Sequence, residues 1–233
     1  LLYVFIVILG ILIFFYIPKF GLIFFVLFSS FHFGEQHLGT HTKDLKNIII
    51  RGLFYTSYGS LILGLLFSLQ WLETHVIIYE ISSLFISKKF MEYYFYLSFS
   101  IFFTISIFYN GLRKILLIET ILIIFLGFFF SRAPLLLSFS FSFVFWHSIP
   151  SILDQLNFLY NKDNSRKMKY FFSSLPYWII SLLGLFAFYF YFHAKPETFL
   201  PLFFSFLAAI TFPHTIVMGW LKMYKPEVRN KNN

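Results

Sequence analysis

Three histidines lie inside apolar stretches of the chain and could bind a metal ion together. His32, His147 and His214 occur in the segments F-H-F-G-E-Q-H, F-W-H-S-I-P-S and F-P-H-T. An ionisable side chain in such a stretch is costly within a lipid bilayer, so it is a candidate for function. Imidazole is a ligand for Fe, Zn or Cu, and the chain has no cysteine that could serve instead. The alternative is three separate histidines, each hydrogen-bonded to a neighbouring helix.

The composition requires a membrane protein. Of the 233 residues, 59% are hydrophobic and only 12% are charged, which is about half the charged fraction of a globular domain. Apolar runs of about 20 residues recur along the chain, and this length crosses the hydrocarbon core of a bilayer as a helix. We therefore predict an all-α fold, a polytopic transmembrane helical bundle. The net charge of +8 is interpreted as loop charge that orients the chain in the lipid bilayer, and no nucleic-acid partner is expected.

Charged and turn-forming residues divide the apolar runs into eight predicted spans. These spans cover residues 1–16, 20–38, 48–70, 92–109, 114–130, 133–158, 170–192 and 198–222. The segment 75–87 is apolar but short, and is predicted to be an interfacial or re-entrant helix. The chain begins at Leu1 within an apolar run, so we expect that one further N-terminal helix is missing.

The basic residues predict the orientation of the chain. With a cytoplasmic C-terminus, all but five of the 18 Lys and Arg residues lie in inside loops or at the inside ends. This favours a multi-pass protein of the inner (plasma) membrane with both ends of the chain in the cytoplasm. The three histidine-bearing spans then run from outside to inside, with each histidine in the inner half. At a rise of about 1.5 Å per residue the histidines can share one layer, which favours a metal site over separate histidines.

Acidic residues near two of the histidines are candidates for orienting them. Glu35 stands three residues after His32 and could accept a hydrogen bond from the ring nitrogen that does not bind metal. Asp154 lies seven residues after His147, two helical turns along the same predicted face, and could act in the same way.

The remaining histidines favour solvated positions. His37 and His41 form an i, i+4 pair that could bind a metal ion, but their place at the membrane edge favours a solvated face. His75 and His193 lie at span ends or in loops and are predicted to be solvated as well.

At the three histidine segments the sequence resembles the Brp/Blh family of bacterial and archaeal membrane β-carotene dioxygenases. The resemblance covers nearly the whole chain in length, hydropathy and the order of the motifs F-H-F-G, W-H-S and P-H. It implies a single transmembrane catalytic domain over residues 1–233, incomplete at its N-terminus. It also implies oxidative cleavage of the central double bond of β-carotene with O₂ and a histidine-bound non-haem iron, Fe²⁺. The products would be two retinal molecules, and a microbial rhodopsin would use the retinal downstream.

The resemblance also implies a set of metal ligands. His32 and His147 match two metal histidines of the family, and His214 matches the P-H position. A further family histidine lies in an H-G-x-x-D motif that this chain lacks, so we expect that motif in the missing N-terminal helix. Ser151 stands where some members have the second histidine of H-S-x-x-H, and His37 stands where others have Asp. Either His37 or His214 completes a rearranged site, or the metal geometry differs.

Non-enzymatic functions remain as alternatives. A carotenoid-binding protein would hold the pigment without consuming it, and a haem protein could use His147 and His214 as paired ligands. A transporter would also place histidines near the midplane of the membrane, but the inverted repeats that are typical of that class are not found in the sequence.

Overall fold

A computed structural model describes residues 2–42, 45–160, 164–192 and 196–230. These residues are helical and contain no strand. The helices are, in chain order, α1 (Leu2–Tyr16), α2 (Pro18–Leu38), α3 (Ile48–Leu69), α4 (Trp71–Ser82), α5 (Lys88–Phe108), α6 (Asn110–Arg132), α7 (Leu135–Ser142), α8 (Ile149–Tyr160), α9 (Asn164–Phe192) and α10 (Pro196–Asn230). A π-helical turn, Phe143–Ser148, joins α7 to α8 without a break.

Local sequence signals explain where several helices begin. Pro18 occupies the first turn of α2, where its missing N–H would have no partner in any case. The side chain of Asn47 accepts hydrogen bonds from the backbone N–H groups of Ile49 and Ile50 and so caps α3. Ser87 caps α5 by accepting from the Phe90 N–H.

Six of the eight predicted spans correspond to helices that are long and apolar enough to cross a membrane. These six are Ile48–Leu69, Lys88–Phe108, Asn110–Arg132, Leu135–Asn157, Asn164–Tyr191 and Phe199–Val217. They confirm the predicted all-α bundle and indicate a membrane protein. The predicted span 1–16 is α1, which is apolar but has only 15 residues. The predicted span 20–38 is α2, which is less apolar because its second half carries several ionisable and amide side chains.

Two predicted boundaries differ from the structure. The predicted span 170–192 begins too late, because α9 begins at Asn164. The short segment predicted over 75–87 is α4, which begins earlier and ends where Ser83 adopts a left-handed conformation (φ 54°).

Helices α2 and α3 cross in direct backbone contact. A Cβ atom on Gly34 would overlap the carbonyl oxygen of Tyr55, and one on Gly59 would overlap that of Ser30. The two contacts run in opposite order along the chain, so the helices are antiparallel. Only glycine allows so close an approach, because any side chain would overlap the facing backbone.

The core of the bundle surrounds α3. Phe54 and Leu61 of α3 are fully buried, and Phe54 stacks on Phe102 of α5 with 5.2 Å between the ring centroids. Leu126 and Phe130 of α6 are also fully buried in this core. Because α3 is packed on several sides, its position is fixed, and its contact with α2 in turn positions α2.

Two polar side chains at the start of α4 fix the connection between α6 and α7. The Gln70 amide donates to the carbonyl oxygens of Phe130 and Ala133, which are acceptors left over at the end of α6. The Glu73 carboxylate accepts from the Leu135 N–H at 3.1 Å, at the N-terminus of α7. A carboxylate is favourable there, because it meets the positive end of the helix dipole.

Replacement of Gly59 by alanine is expected to separate α2 from α3. The new methyl group would overlap the Ser30 backbone, and such overpacking costs about 1–3 kcal/mol of stability. The thermal unfolding midpoint of the purified protein in detergent measures the effect. Gly52→Ala is the matched control, since it lies on the same helix with nothing within 4 Å of its Cβ position. Equal midpoints for the two variants would contradict the close crossing.

Candidate metal centre

The three histidines of the apolar segments meet at one point in the bundle. One ligating atom from each of His32, His147 and His214 lies within 4.8 Å of the other two. The ring centroids are 5.1 Å apart for His32 and His147, 5.6 Å for His32 and His214, and 5.8 Å for His147 and His214. His32 and His147 are buried, and His214 is half-buried. The structure thus brings together the histidines that the sequence places at one depth.

The crossing of α2 and α3 positions His32. His32 lies between Ser30 and Gly34, the two α2 residues whose backbone positions contact α3. The side chain is 1% exposed, so α2 directs it into the bundle.

Aromatic packing positions His214. Phe212, two residues earlier on α10, is 5% exposed and lies among Phe14 of α1 and Phe24 and Phe28 of α2. The distances between ring centroids are 6.4, 5.4 and 6.1 Å, respectively. This packing anchors α10 against the helix that bears His32.

The π-helical turn positions His147. Within it the Ile149 N–H donates to the Val144 carbonyl five residues earlier, one residue further back than in an α-helix. Pro150 explains the widened turn, because its ring would clash with the carbonyl four residues before it in a regular helix. The Gln36 amide of α2 donates to the His147 carbonyl oxygen at 2.9 Å and ties the turn to the helix of His32.

The arrangement fits a metal ion bound by three imidazoles. Two nitrogens that bind one ion at about 2.1 Å each are at most about 4.2 Å apart. From within 4.8 Å, ring movements smaller than about 1 Å are enough to bring the three nitrogens to that spacing, and small torsional changes supply them. The Nε2 atom of His214 is buried and has no hydrogen-bond partner among the described residues, as expected of a ligand atom without its ion.

The other predicted site residues occupy different places. Ser151 is buried and lines the same cavity as His147 and His214, where its hydroxyl accepts from the Gln155 amide. Glu35 is half-buried, one turn after His32, and its orienting role stays a prediction.

The prediction that Asp154 orients His147 is wrong, because Asp154 is exposed. The inward side of α8 carries Ser151 and Gln155, four and eight residues after His147. Asp154 lies on the exposed side of this helix.

His37 binds a side chain that the sequence reasoning missed. It lies outside the histidine cluster, and its Nε2 is 3.0 Å from a carboxylate oxygen of Glu119 on α6. Glu119 is 5% exposed and also accepts from the Tyr58 hydroxyl at 2.7 Å. The solvated position predicted for His37 is therefore wrong, whereas its neighbour His41 is exposed as expected. His193 lies outside the described residues.

The signal for Glu119 was present in the sequence. It is the only acidic residue of α6, and it stands in an otherwise apolar stretch. The cost of burying a charge, which singled out the histidines, applies equally to this carboxylate.

A long apolar cavity leads away from the histidines. It lies between α1, α2, α3, α4, α7 and α10, and we call it the apolar cavity. Its walls are Phe, Leu, Ile, Val and Ala side chains with three hydroxyl-bearing residues, Ser29, Thr74 and Thr211. Phe33 and Phe143 mark the end near the metal centre, because their rings contact His147. Leu135 and Phe143 both line the cavity, and their separation of eight positions along the helix corresponds to about 12 Å.

A second cavity opens on the metal centre from the other side. This histidine cavity is lined by His147, His214 and Ser151. Phe143, Leu207 and Thr211 line both cavities, so the two cavities are neighbours. Two of the three histidines, His147 and His214, face the histidine cavity.

The fold and the site define a helical membrane protein with a candidate metal centre enclosed by its helices. The family model described as beta-carotene 15,15'-dioxygenase matches residues 1–222. The chain belongs to this family, which confirms the resemblance in the histidine motifs and implies a carotene dioxygenase. Comparisons with curated proteins and with solved structures gave no match.

Replacement of any one of the three histidines by alanine is expected to abolish tight metal binding. Loss of a residue that only orients a ligand costs about 10–100-fold in affinity, so loss of a ligand costs more. Titration of the purified protein with Co²⁺, followed by its visible absorption, measures the affinity. His75→Ala on α4 is the control and should bind Co²⁺ like the unchanged protein. Unchanged affinity in the His214→Ala protein would show that His214 is not a ligand.

Proposed function

We propose that this protein cleaves the central double bond of β-carotene with O₂ to give two retinal molecules, with Fe²⁺ held by His32, His147 and His214. The observation that carries the proposal is the meeting of three histidines, two buried and one half-buried, beside the histidine cavity. Membership of the β-carotene 15,15′-dioxygenase family supports the substrate and the use of O₂. Retinal is the cofactor of microbial rhodopsins, so such a protein is the proposed downstream user.

The proposed centre consists of three neutral imidazoles without a thiolate. Imidazole suits iron, and a bound ion with three protein ligands keeps open coordination positions. When bound, the iron supplies the activation of O₂ that a closed-shell polyene cannot achieve alone. The protein residues hold the ligands in place: the α2–α3 crossing holds His32, the Gln36 amide holds the His147 backbone, and Phe212 anchors the helix of His214.

The cavities support binding of a long hydrocarbon. A polyene has no groups that form strong hydrogen bonds, so its affinity comes from apolar contact along its length. The apolar cavity would take one half of the substrate, with its inner end beside Phe143 and its outer end beside Leu135. The histidine cavity would take the part beyond the metal centre. The depth of the apolar cavity would thus select the double bond that lies over the metal.

Expression in cells that produce β-carotene tests this function. The unchanged protein is expected to bleach the cells and to form two retinal molecules for each β-carotene consumed. The His147→Ala protein should leave the pigment intact, and His75→Ala should behave like the unchanged protein. Shorter or unequal aldehydes would show cleavage at another bond. A haem absorption spectrum of the purified protein would contradict the non-haem centre.

Filling the apolar cavity is expected to block the substrate without affecting the metal. Ala208 lines this cavity and is 1% exposed, so Ala208→Phe places a ring in the space that the polyene would occupy. Retinal formation should fall by at least about tenfold, since a bulky group in a packed site costs more than 1.4 kcal/mol. Co²⁺ affinity should not change. Ala187→Phe on the exposed surface of α9 is the control. Undiminished turnover in Ala208→Phe would place the substrate elsewhere.

A further inference from the structure

A buried carboxylate lies next to the metal centre without belonging to it. Glu119 of α6 is 5% exposed, and its two oxygens are held by the Tyr58 hydroxyl at 2.7 Å and by His37 Nε2 at 3.0 Å. A carboxylate inside an apolar helix is costly unless donors satisfy it, and here two donors converge on it from α3 and α2.

The contacts of His37 connect this carboxylate to the turn that bears His147. The His37 ring stacks on Tyr58, with 5.0 Å between centroids and 5° between planes. It also contacts the ring of Trp146, at 5.4 Å and 40°. Trp146 immediately precedes His147, so the position of the His37 ring sets the position of the turn at that residue.

A second contact from α2 acts on the same turn. Gln36 precedes His37 and donates to the His147 carbonyl oxygen at 2.9 Å. Consecutive residues of α2 therefore hold both the side chain before His147 and the backbone of His147 itself. The π-helical turn needs such support, because its widened hydrogen bonding is weaker than that of an α-helix.

The same aromatic side chains form a wall beside the metal centre. Tyr58 and Trp146 line, together with His147, a third cavity. Movement of the Trp146 ring would change both the shape of this space and the direction of the His147 imidazole.

We propose that Glu119 is a positioning residue for the metal centre. Through its bond to His37 it holds Trp146, and thereby fixes the orientation in which His147 meets the ion. The inference rests on the proposed role of His147 as a ligand. The carboxylate is essential because it accepts from two donors at once. A glutamine of the same shape has one NH₂ group that only donates, so Tyr58 must turn its hydroxyl hydrogen away or His37 must change its tautomer.

Glu119→Gln tests the proposal with Co²⁺ as the probe. We expect the affinity of the purified full chain for Co²⁺ to fall about tenfold, the lower end of the effect of residues that orient ligands. The visible spectrum of bound Co²⁺ should shift, because the His147 ring is turned. Glu80→Gln on α4 is the matched control: Glu80 is exposed, so affinity and spectrum should stay unchanged. In β-carotene cleavage, kcat should fall while KM stays the same.

Tyr58→Phe keeps the proposal testable if Glu119→Gln does not fold. It removes only the hydroxyl that donates to Glu119 and keeps the ring that stacks on His37, so a smaller change in the same direction is expected. A purely structural role would lower the thermal midpoint but leave the Co²⁺ affinity and spectrum of the folded protein unchanged, and this result would overturn the proposal. Because the probe is Co²⁺, a protein that binds the ion but leaves β-carotene intact would refute the proposed function without deciding this inference.

Discussion

The contact between the backbones of α2 and α3 is the constraint on which the metal centre depends. Gly34 and Gly59 let the two helices touch on either side of His32, and α3 is in turn fixed by the buried core around Phe54. Helices in such contact cannot rotate or slide without overlap, so the register of α2 is determined. That register sets His32 directly and, through Gln36 and His37, also the turn that carries His147. One crossing therefore defines two of the three candidate ligands.

Much of the fold could be predicted from the sequence because the signals are local. The length of an apolar run and the cost of burying an imidazole depend only on neighbouring residues. Six spans and the three clustered histidines followed from these two properties. Helix α2 is an exception to these local signals. Its ionisable and amide side chains are typical of a membrane edge, yet His32 and Gly34 are buried in the bundle.

The parts that could not be predicted depend on contacts between distant residues or on irregular backbone. Glu119 lies 82 positions from His37, and nothing local to either residue indicates that they pair. The π-helical turn breaks the 3.6-residue period from which a helical face is inferred. Pro150 indicates that the helix is irregular at this point, but the sequence does not show which contacts support the turn. One of these contacts comes from another helix, where the Gln36 amide donates to the His147 carbonyl oxygen.

The composition of the cavity walls has a consequence for the chemical durability of a dioxygenase. The apolar cavity is lined by aliphatic side chains, phenylalanines and hydroxyl-bearing residues, and by no methionine, tryptophan or tyrosine. The chain as a whole has no cysteine. Thioethers and thiols are the side chains that oxidants attack first, and the walls of the apolar cavity contain neither. Of the three cavities described above, tyrosine and tryptophan line only the one beside Tyr58 and Trp146. Oxidative damage to side chains during turnover would therefore occur mainly at Tyr58 and Trp146 and less in the rest of the binding site.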